Sequence, residues 1–257
     1  MNDAERFTER TSARGIAYRS LGSGAPIVLL HGWCLDRRMW MYQEEALAAT
    51  HRVISPDLPG FGASRALAGP YTLARYTDEV AALLAELGIH GATVCGFAFG
   101  AMVALSAVAA GKGRDIGRVI AIGVPSASTA PYPRMPKAMR RDWPEFARRS
   151  AQAILKNAPS QATLDWLAAM YGATALPVAL AGVEILASFE PVAIAQDVNV
   201  PTLFIHGADD DVVPPRISKD CAAKMRDARV ELVAGSGHLV VLDQSQRVTE
   251  LIAAFAT

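Results

Sequence analysis

The sequence predicts an α/β fold built on a mostly parallel sheet. Three observations carry this. Short apolar runs, most of them closed by a glycine or proline turn, recur along the chain. Longer segments with apolar residues at helical spacing lie between them. Most of the runs are continuous rather than alternating, as expected of strands covered on both faces. Strands alternating with helices give a parallel sheet between helical layers, and the right-handed crossover rule leaves few topologies.

Six runs are read as strands: Pro26–Leu30, Arg52–Ser55, Ala92–Cys95, Arg118–Ile122, Thr202–Ile205 and Arg229–Val233. The last alternates and is expected near a sheet edge. Helices are expected over Thr72–Leu87, stopping at Gly88, over Ala101–Ala110, and over Val240–Phe255. Between Pro125 and Pro201 no strand is legible. The turn-formers Pro125, Pro131, Pro133 and Pro136 open this stretch, and helices are expected over Trp143–Lys156, Gln161–Tyr171 and Leu176–Phe189. The expected organisation is a core of residues 1–124 and 201–257 with a helical cap, residues 125–200, inserted over one end of the sheet. That end is where α/β sheets place ligands.

The composition narrows the class. With 51% hydrophobic and 19% charged residues, 257 residues suffice for one sizeable core and do not suit a long disordered chain. Lys+Arg and Asp+Glu both number 25, so no basic excess points to a nucleic-acid partner. Three cysteines without a CxxC pair make neither a disulfide framework nor a zinc site. The stretch Ala101–Ala110 is too short to span a membrane, and the polar segment Met1–Arg14 lacks a secretory apolar region. A cytoplasmic protein without metal or organic cofactor is expected.

The chemistry-bearing motifs follow the strands. Gly96-Phe97-Ala98-Phe99-Gly100 sits between a strand and a helix, the context of the G-x-S-x-G nucleophile elbow. Its central residue, Ala98, has no nucleophilic atom. Gly207-Ala-Asp-Asp210-Asp-Val-Val-Pro214 matches G-x-x-D-x-x-V-P and puts Asp210 at the acid position, with Asp209 and Asp211 as neighbours that a one-residue shift would bring in. Gly235-Ser-Gly-His238 follows the last strand, and His31-Gly32-Trp33 follows the first run.

On these motifs, in this order, the chain resembles the α/β-hydrolase superfamily over nearly its whole length. The resemblance implies an eight-stranded sheet. It implies His238 as general base and then acid, Asp210 as its orienting carboxylate, and position 98 as the attacking residue of an acyl-enzyme mechanism. It also implies an oxyanion hole from the Trp33 and Phe99 backbone N–H groups. Trp33, Phe97, Phe99 and His31 are the candidate substrate-binding residues, His31 as an organiser of the oxyanion loop. Within the superfamily, His31-Gly-Trp-Cys-Leu-Asp-Arg-Arg-Met-Trp40, Asp57-Leu-Pro-Gly-Phe-Gly-Ala-Ser64 and Gly182-Val-Glu-Ile-Leu186 look like pimeloyl-acyl-carrier-protein methyl ester esterases and related small carboxylesterases. That resemblance implies a small-molecule ester substrate and an acidic acyl carrier protein as partner. Enol-lactone hydrolysis, C–C bond hydrolysis and perhydrolysis use similar sites.

Ala98 admits three readings: a natural serine has been replaced, the natural residue is Asp or Cys, or alanine is native and the protein binds ligands without catalysis. A non-glycine residue in a left-handed conformation costs roughly 1–2 kcal/mol. Strain of that kind belongs at working sites, which favours the first reading. As written, the chain is expected to bind substrate and hardly turn it over.

The remaining candidates have plainer readings. His206 reads as a polar strand terminus, His51 and His90 as surface residues, and Cys95 as a small core residue. Cys34 carries no sign of activation, and Ser126 reads as a turn serine. Arg134, Lys137, Arg140, Arg141, Arg148 and Arg149, set against Asp142 and Glu145, form either a solvated face or a dock for an anionic carrier.

Overall fold

The computed structural model describes residues 9–129, 132–157 and 160–257; residues 1–8 of the polar N-terminal segment and Pro131 lie outside the described residues. Eight strands form one sheet: β1 (Arg10–Thr11), β2 (Ala17–Leu21), β3 (Pro26–Leu30), β4 (Arg52–Pro56), β5 (Ala92–Phe97), β6 (Ile116–Ile122), β7 (Thr202–Gly207) and β8 (Ala228–Val233). Their order is β1-β2-β4-β3-β5-β6-β7-β8. β2 runs antiparallel to β1 and β4, and every other pairing is parallel. The six sequence-read runs all become strands. β8 lies at the edge, as its alternation predicts. β1 and β2 were illegible because they are short or half-polar, and their pairing is dictated by tertiary contact rather than by pattern.

Eleven helices are present among the described residues: α1 (Met41–Leu47), α2 (Leu73–Glu86), α3 (Phe99–Ala109), α4 (Met135–Arg141), α5 (Trp143–Ala153), α6 (Gln161–Gly172), α7 (Leu176–Leu186), α8 (Pro191–Ile194), α9 (Arg216–Ala222), α10 (Val240–Asp243) and α11 (Ser245–Phe255). Local chemistry sets several starts. Thr72 Oγ1 accepts from the Arg75 N–H at 3.2 Å ahead of α2, and Asp142 Oδ1 accepts from the Glu145 N–H at 3.0 Å ahead of α5. α3 is apolar all round and almost wholly buried, as a helix covered on every side must be. The C-terminal helix expected as one piece is two, because the backbone leaves helical geometry at Gln244 (φ −136, ψ 52). No single helix among the described residues is long and apolar enough to cross a membrane.

Between β6 and β7 the described residues form α4 to α8 and no strand. This helical segment is tied to the sheet's loops by specific bonds. The Trp33 indole N–H donates to the Ala179 carbonyl of α7 at 3.0 Å. The Leu239 N–H donates to Ile154 O at 2.8 Å, and Asn157 Nδ2 donates to Gly235 O at 3.0 Å. The loops after β3 and β8 are thereby held against the segment.

Candidate active site

The turn from β5 into α3 is forced by what surrounds it. A Cβ on Gly96 would lie 2.2 Å from the Gly100 carbonyl carbon, and one on Gly100 would lie 2.2 Å from the Leu30 carbonyl oxygen. Only glycine fits either place. Ala98, between them, adopts φ 46 and ψ −102, a region that side-chain-bearing residues rarely enter. Its N–H donates to Ile122 O at 2.8 Å, and its carbonyl accepts from the Met102 N–H at 3.0 Å. The backbone is thus pinned on both sides of the strained residue.

Ala98 borders a cavity of about 180 Å³. His238, Trp33, Phe97 and Phe99 border the same cavity, and Tyr132, Ile154, Tyr171 and Leu186 supply much of the remaining wall. No lysine, arginine or carboxylate is among its lining residues. Phe99 is the first residue of α3, where backbone N–H groups have no partner within the helix and the helix dipole is positive. Its ring turns away, edge-on to Phe61 and Tyr76 at 6.2 and 5.1 Å between centroids.

His238 follows β8 and is 7% exposed. Its Nδ1 lies 2.8 Å from Asp210 Oδ2, which leaves the other ring nitrogen free of the carboxylate. Asp210 Oδ1 accepts from the Val212 and Val213 N–H groups at 2.9 and 2.8 Å. Burial alone would raise the Asp210 carboxyl. Hydrogen bonds from His206 and His238, the His238 charge and the Val213 N–H outweigh it and hold the group well below the ordinary carboxylate range. Its neighbours do not compete: Asp209 is exposed, and Asp211 points outward, 3.6 Å from Lys156 Nζ.

Several sequence expectations change. His31, expected among the substrate-binding residues, does not line the cavity. Its ring is fully buried, with Nδ1 2.8 Å from Gly32 O and Nε2 accepting from the Leu58 N–H at 2.9 Å. The carbonyl can only accept, so Nδ1 carries the proton, and the imidazole braces the loop after β3 from beneath. His51, expected at the surface, is buried beside Thr50, with Nδ1 2.8 Å from Oγ1. His90 is exposed and pairs with Asp115 at 2.8 Å. Ser126 is buried, its hydroxyl 3.1 Å from Ser128 Oγ and 3.4 Å from Glu190 Oε2. Burial pushes the Cys34 and Cys95 thiols up, away from the reactive thiolate.

The basic residues read as either a solvated face or a dock divide. Arg148 and Arg149 both bind Glu145, at 2.9 and 2.6 Å, and hydrogen bonds from them hold its carboxyl down at about 2. Arg134, Lys137, Arg140 and Arg141 are exposed and have no ion-pair partner among the described residues. The Asp57–Ser64 motif also gains a physical account. Asp57 accepts from the Arg37 and Ala63 N–H groups, both at 2.8 Å, and a Cβ on Gly62 would lie 2.4 Å from its Oδ2. The motif is a clamp on the loop after β4.

Sequence reasoning missed the cavity wall contributed by the helical segment, since nothing in its pattern says which apolar face meets the sheet. It also missed that His206, four residues before Asp210, contacts the same carboxylate: His206 Nε2 lies 3.1 Å from Asp210 Oδ2. Among the described residues, no group of three or more His, Cys, Asp or Glu is placed to hold a metal ion.

The eight-stranded sheet, the strained elbow and the His238–Asp210 pair together define an α/β hydrolase. Residues 27–251 match the alpha/beta hydrolase family, and the chain belongs to it. A pimeloyl-[acyl-carrier protein] methyl ester esterase of Aromatoleum aromaticum is 32% identical, covering 88% of this chain and 96% of its own. AB hydrolase superfamily protein YisY of Bacillus subtilis is 25% identical, over 92% and 93%. An esterase from Exiguobacterium antarcticum superposes with a TM-score of 0.87 at 19% identity, over 97% of this chain and 98% of its own, and shares the fold. Family and relatives indicate a hydrolase.

Proposed function

We propose that the cavity is the acyl site of a serine-type carboxylic ester hydrolase, with Ala98 standing where an attacking serine is expected. One observation carries this: a buried, hydrogen-bonded His238–Asp210 pair opens on the same small apolar cavity as a strained elbow residue. In this reading His238 takes the proton of the nucleophile at position 98, and Asp210 fixes its tautomer and stabilises the imidazolium. The Trp33 and Phe99 N–H groups receive the oxyanion. Residues 125–200 act as the cap that closes the cavity over the core. With Ala98 in place the base has no hydroxyl to activate. By analogy with other triads, turnover falls on the order of 10⁶-fold, about 8 kcal/mol of barrier. Binding survives, because pocket and oxyanion donors do not depend on the missing hydroxyl.

The cavity's size and lining bear on the substrate. A cavity of ~150 Å³ holds one benzene, so about 180 Å³ takes a short, uncharged group at the scissile end. A methyl ester fits, with any longer arm left outside. α4 places Met135 in the cavity wall and presents Lys137, Arg140 and Arg141 to solvent. These exposed cations suit an acidic carrier holding the far end of such an arm.

The test compares the chain as written with Ala98→Ser on p-nitrophenyl esters from acetate to octanoate and on a carrier-linked methyl ester. The serine form is expected to hydrolyse short esters best, and the Ala98 form to bind them with little turnover. Hydrolysis of the carrier-linked ester is expected to weaken with salt, and that of the small esters to stay constant. Equal rates in the two forms would remove position 98 from the mechanism. Inactivity of both would leave ligand binding as the function of the pocket.

A further inference from the structure

His206 ends β7 and is completely buried. Its Nδ1 lies 2.7 Å from Ser218 Oγ on α9. Its Nε2 lies 2.9 Å from the Val213 carbonyl oxygen and 3.1 Å from Asp210 Oδ2. The carbonyl can only accept, so Nε2 carries the proton. Nδ1 is then the acceptor, and the Ser218 hydroxyl donates to it. That N–H is directed at Val213 O, and Nε2 also lies within ion-pair distance of Asp210 Oδ2. The same Oδ2 accepts from His238 Nδ1 at 2.8 Å. Asp210 thus accepts two backbone N–H groups on Oδ1 and His238 Nδ1 on Oδ2, and a second imidazole, His206, lies 3.1 Å from that Oδ2. Orienting the base requires one imidazole. The second is surplus to that task, and holding a polar ring at full burial is costly unless each of its atoms has work.

We infer that His206 is a positioning residue: its Nε2–H, oriented by the Ser218 hydroxyl, holds Asp210 Oδ2 in line with His238 Nδ1. The two backbone N–H groups secure Oδ1 but leave the carboxylate free to swing about that oxygen. A second imidazole packed 3.1 Å from Oδ2 stops the swing. Ser218 sits one step further out and, together with the Val213 carbonyl, fixes the His206 tautomer and ring orientation. The inference rests on the acid–base reading of the Asp210–His238 pair, and it does not depend on which residue occupies position 98.

The experiment has two arms. In the chain as written, the Nδ1–H proton of His238 is followed by NMR, assigned by its loss in His238→Gln. In the Ala98→Ser background, kcat and KM for p-nitrophenyl acetate are measured. His206→Leu is expected to speed solvent exchange of that proton at least tenfold and to lower kcat by about tenfold with KM unchanged, the scale of a hydrogen bond to a charged group. His206→Gln returns an N–H near the Nε2 position and is expected to recover most of both. Ser218→Ala is expected to act in the same direction but less. A folded His206→Leu chain with unchanged exchange and unchanged kcat overturns the inference. If His206→Leu does not fold, a Ser218→Ala chain with unchanged exchange overturns it. An inactive Ala98→Ser form would count against the ester-hydrolase reading alone, since the NMR arm still decides on His206.

Discussion

Gly182 sits inside α7 under the indole of Trp33, and replacing it with alanine sets two known effects against each other. Alanine in a helix interior is favoured over glycine by about 1 kcal/mol. The Gly182 backbone is not in the left-handed region, so no strain opposes the change. The added Cβ, however, would lie 2.5 Å from Trp33 Cδ1 and 2.6 Å from Nε1. Ordinary carbon contacts begin near ~3.5 Å, so the indole or the helix must give by about 1 Å. The indole has little freedom: its N–H bonds Ala179 O, and its ring meets Trp143 and Tyr171 at 6.5 and 5.9 Å between centroids. Overpacking of this kind costs roughly 1–3 kcal/mol, which leaves a net loss of about 1 kcal/mol and a melting temperature lower by about 2–4 °C. Because Trp33 also carries a proposed oxyanion donor, kcat in the Ala98→Ser background is expected to fall by tenfold or more. Thermal melts and steady-state kinetics on Gly182→Ala, Trp33→Ala and the double variant separate the terms. In the Trp33→Ala background the clash is removed, and Gly182→Ala should then stabilise by its helix value. If Gly182→Ala alone stabilises by that value and leaves kcat unchanged, the proposed packing of α7 on the oxyanion loop is wrong.

Acid denaturation should have two stages. Burial lowers the His31 imidazole, so the native chain binds fewer protons there than the unfolded chain. That stability is complete above about pH 6.5 and is lost as pH falls through the lowered folded value. Asp210 is held below the ordinary range, so its contribution is present above about pH 4 and is lost only as pH falls further. Urea midpoints against pH should show both stages, with His31→Gln removing the upper and Asp210→Asn the lower; one shared step in all three chains would refute the assignment. Gly96→Ala should cost more than about 4 kcal/mol or prevent folding, because backbone atoms crowd its Cβ at 2.2 to 2.4 Å. Gly88→Ala should cost only about 1–2 kcal/mol, since φ is 59 but nothing lies within 4 Å. Comparable losses at the two positions in thermal melts would show that strain, rather than contact, governs the elbow.

The strands that carry the site were legible because they are buried on both faces, and burial leaves a continuous apolar run in the sequence. β5, buried along its whole length, is the clearest case. β2 was not legible because it lies near the antiparallel edge and is half-polar, and α1 and α9 are too short for periodicity to speak. The elbow and the Asp210 loop were legible for a different reason: Gly96, Gly100 and Gly207 record close backbone approaches that admit no side chain. His31 is read as an organiser of the oxyanion loop and His206 only as a polar strand terminus. For both, only the folded chain shows which groups converge on the ring nitrogens. For His31 these are Gly32 and Leu58; for His206 they are Ser218, Val213 and Asp210.

The conformation of Ala98 does not come from its side chain. A methyl group has no interaction that would favour φ 46, and the residue stands there at a cost. What imposes the angle lies outside it: the Gly96–Gly100 contact, the close approach of Gly100 to Leu30, and the hydrogen bonds that its N–H donates to strand β6 and its carbonyl accepts from helix α3. Each of these is a backbone interaction, indifferent to what position 98 carries. The Cβ of any residue there is therefore delivered to the same cavity that His238 borders, before a substrate or a hydroxyl arrives. A serine would add one oxygen to a backbone already committed. The geometry of the site is in this sense complete in the alanine chain, and on the proposed reading what Ala98 lacks is the reactive atom alone.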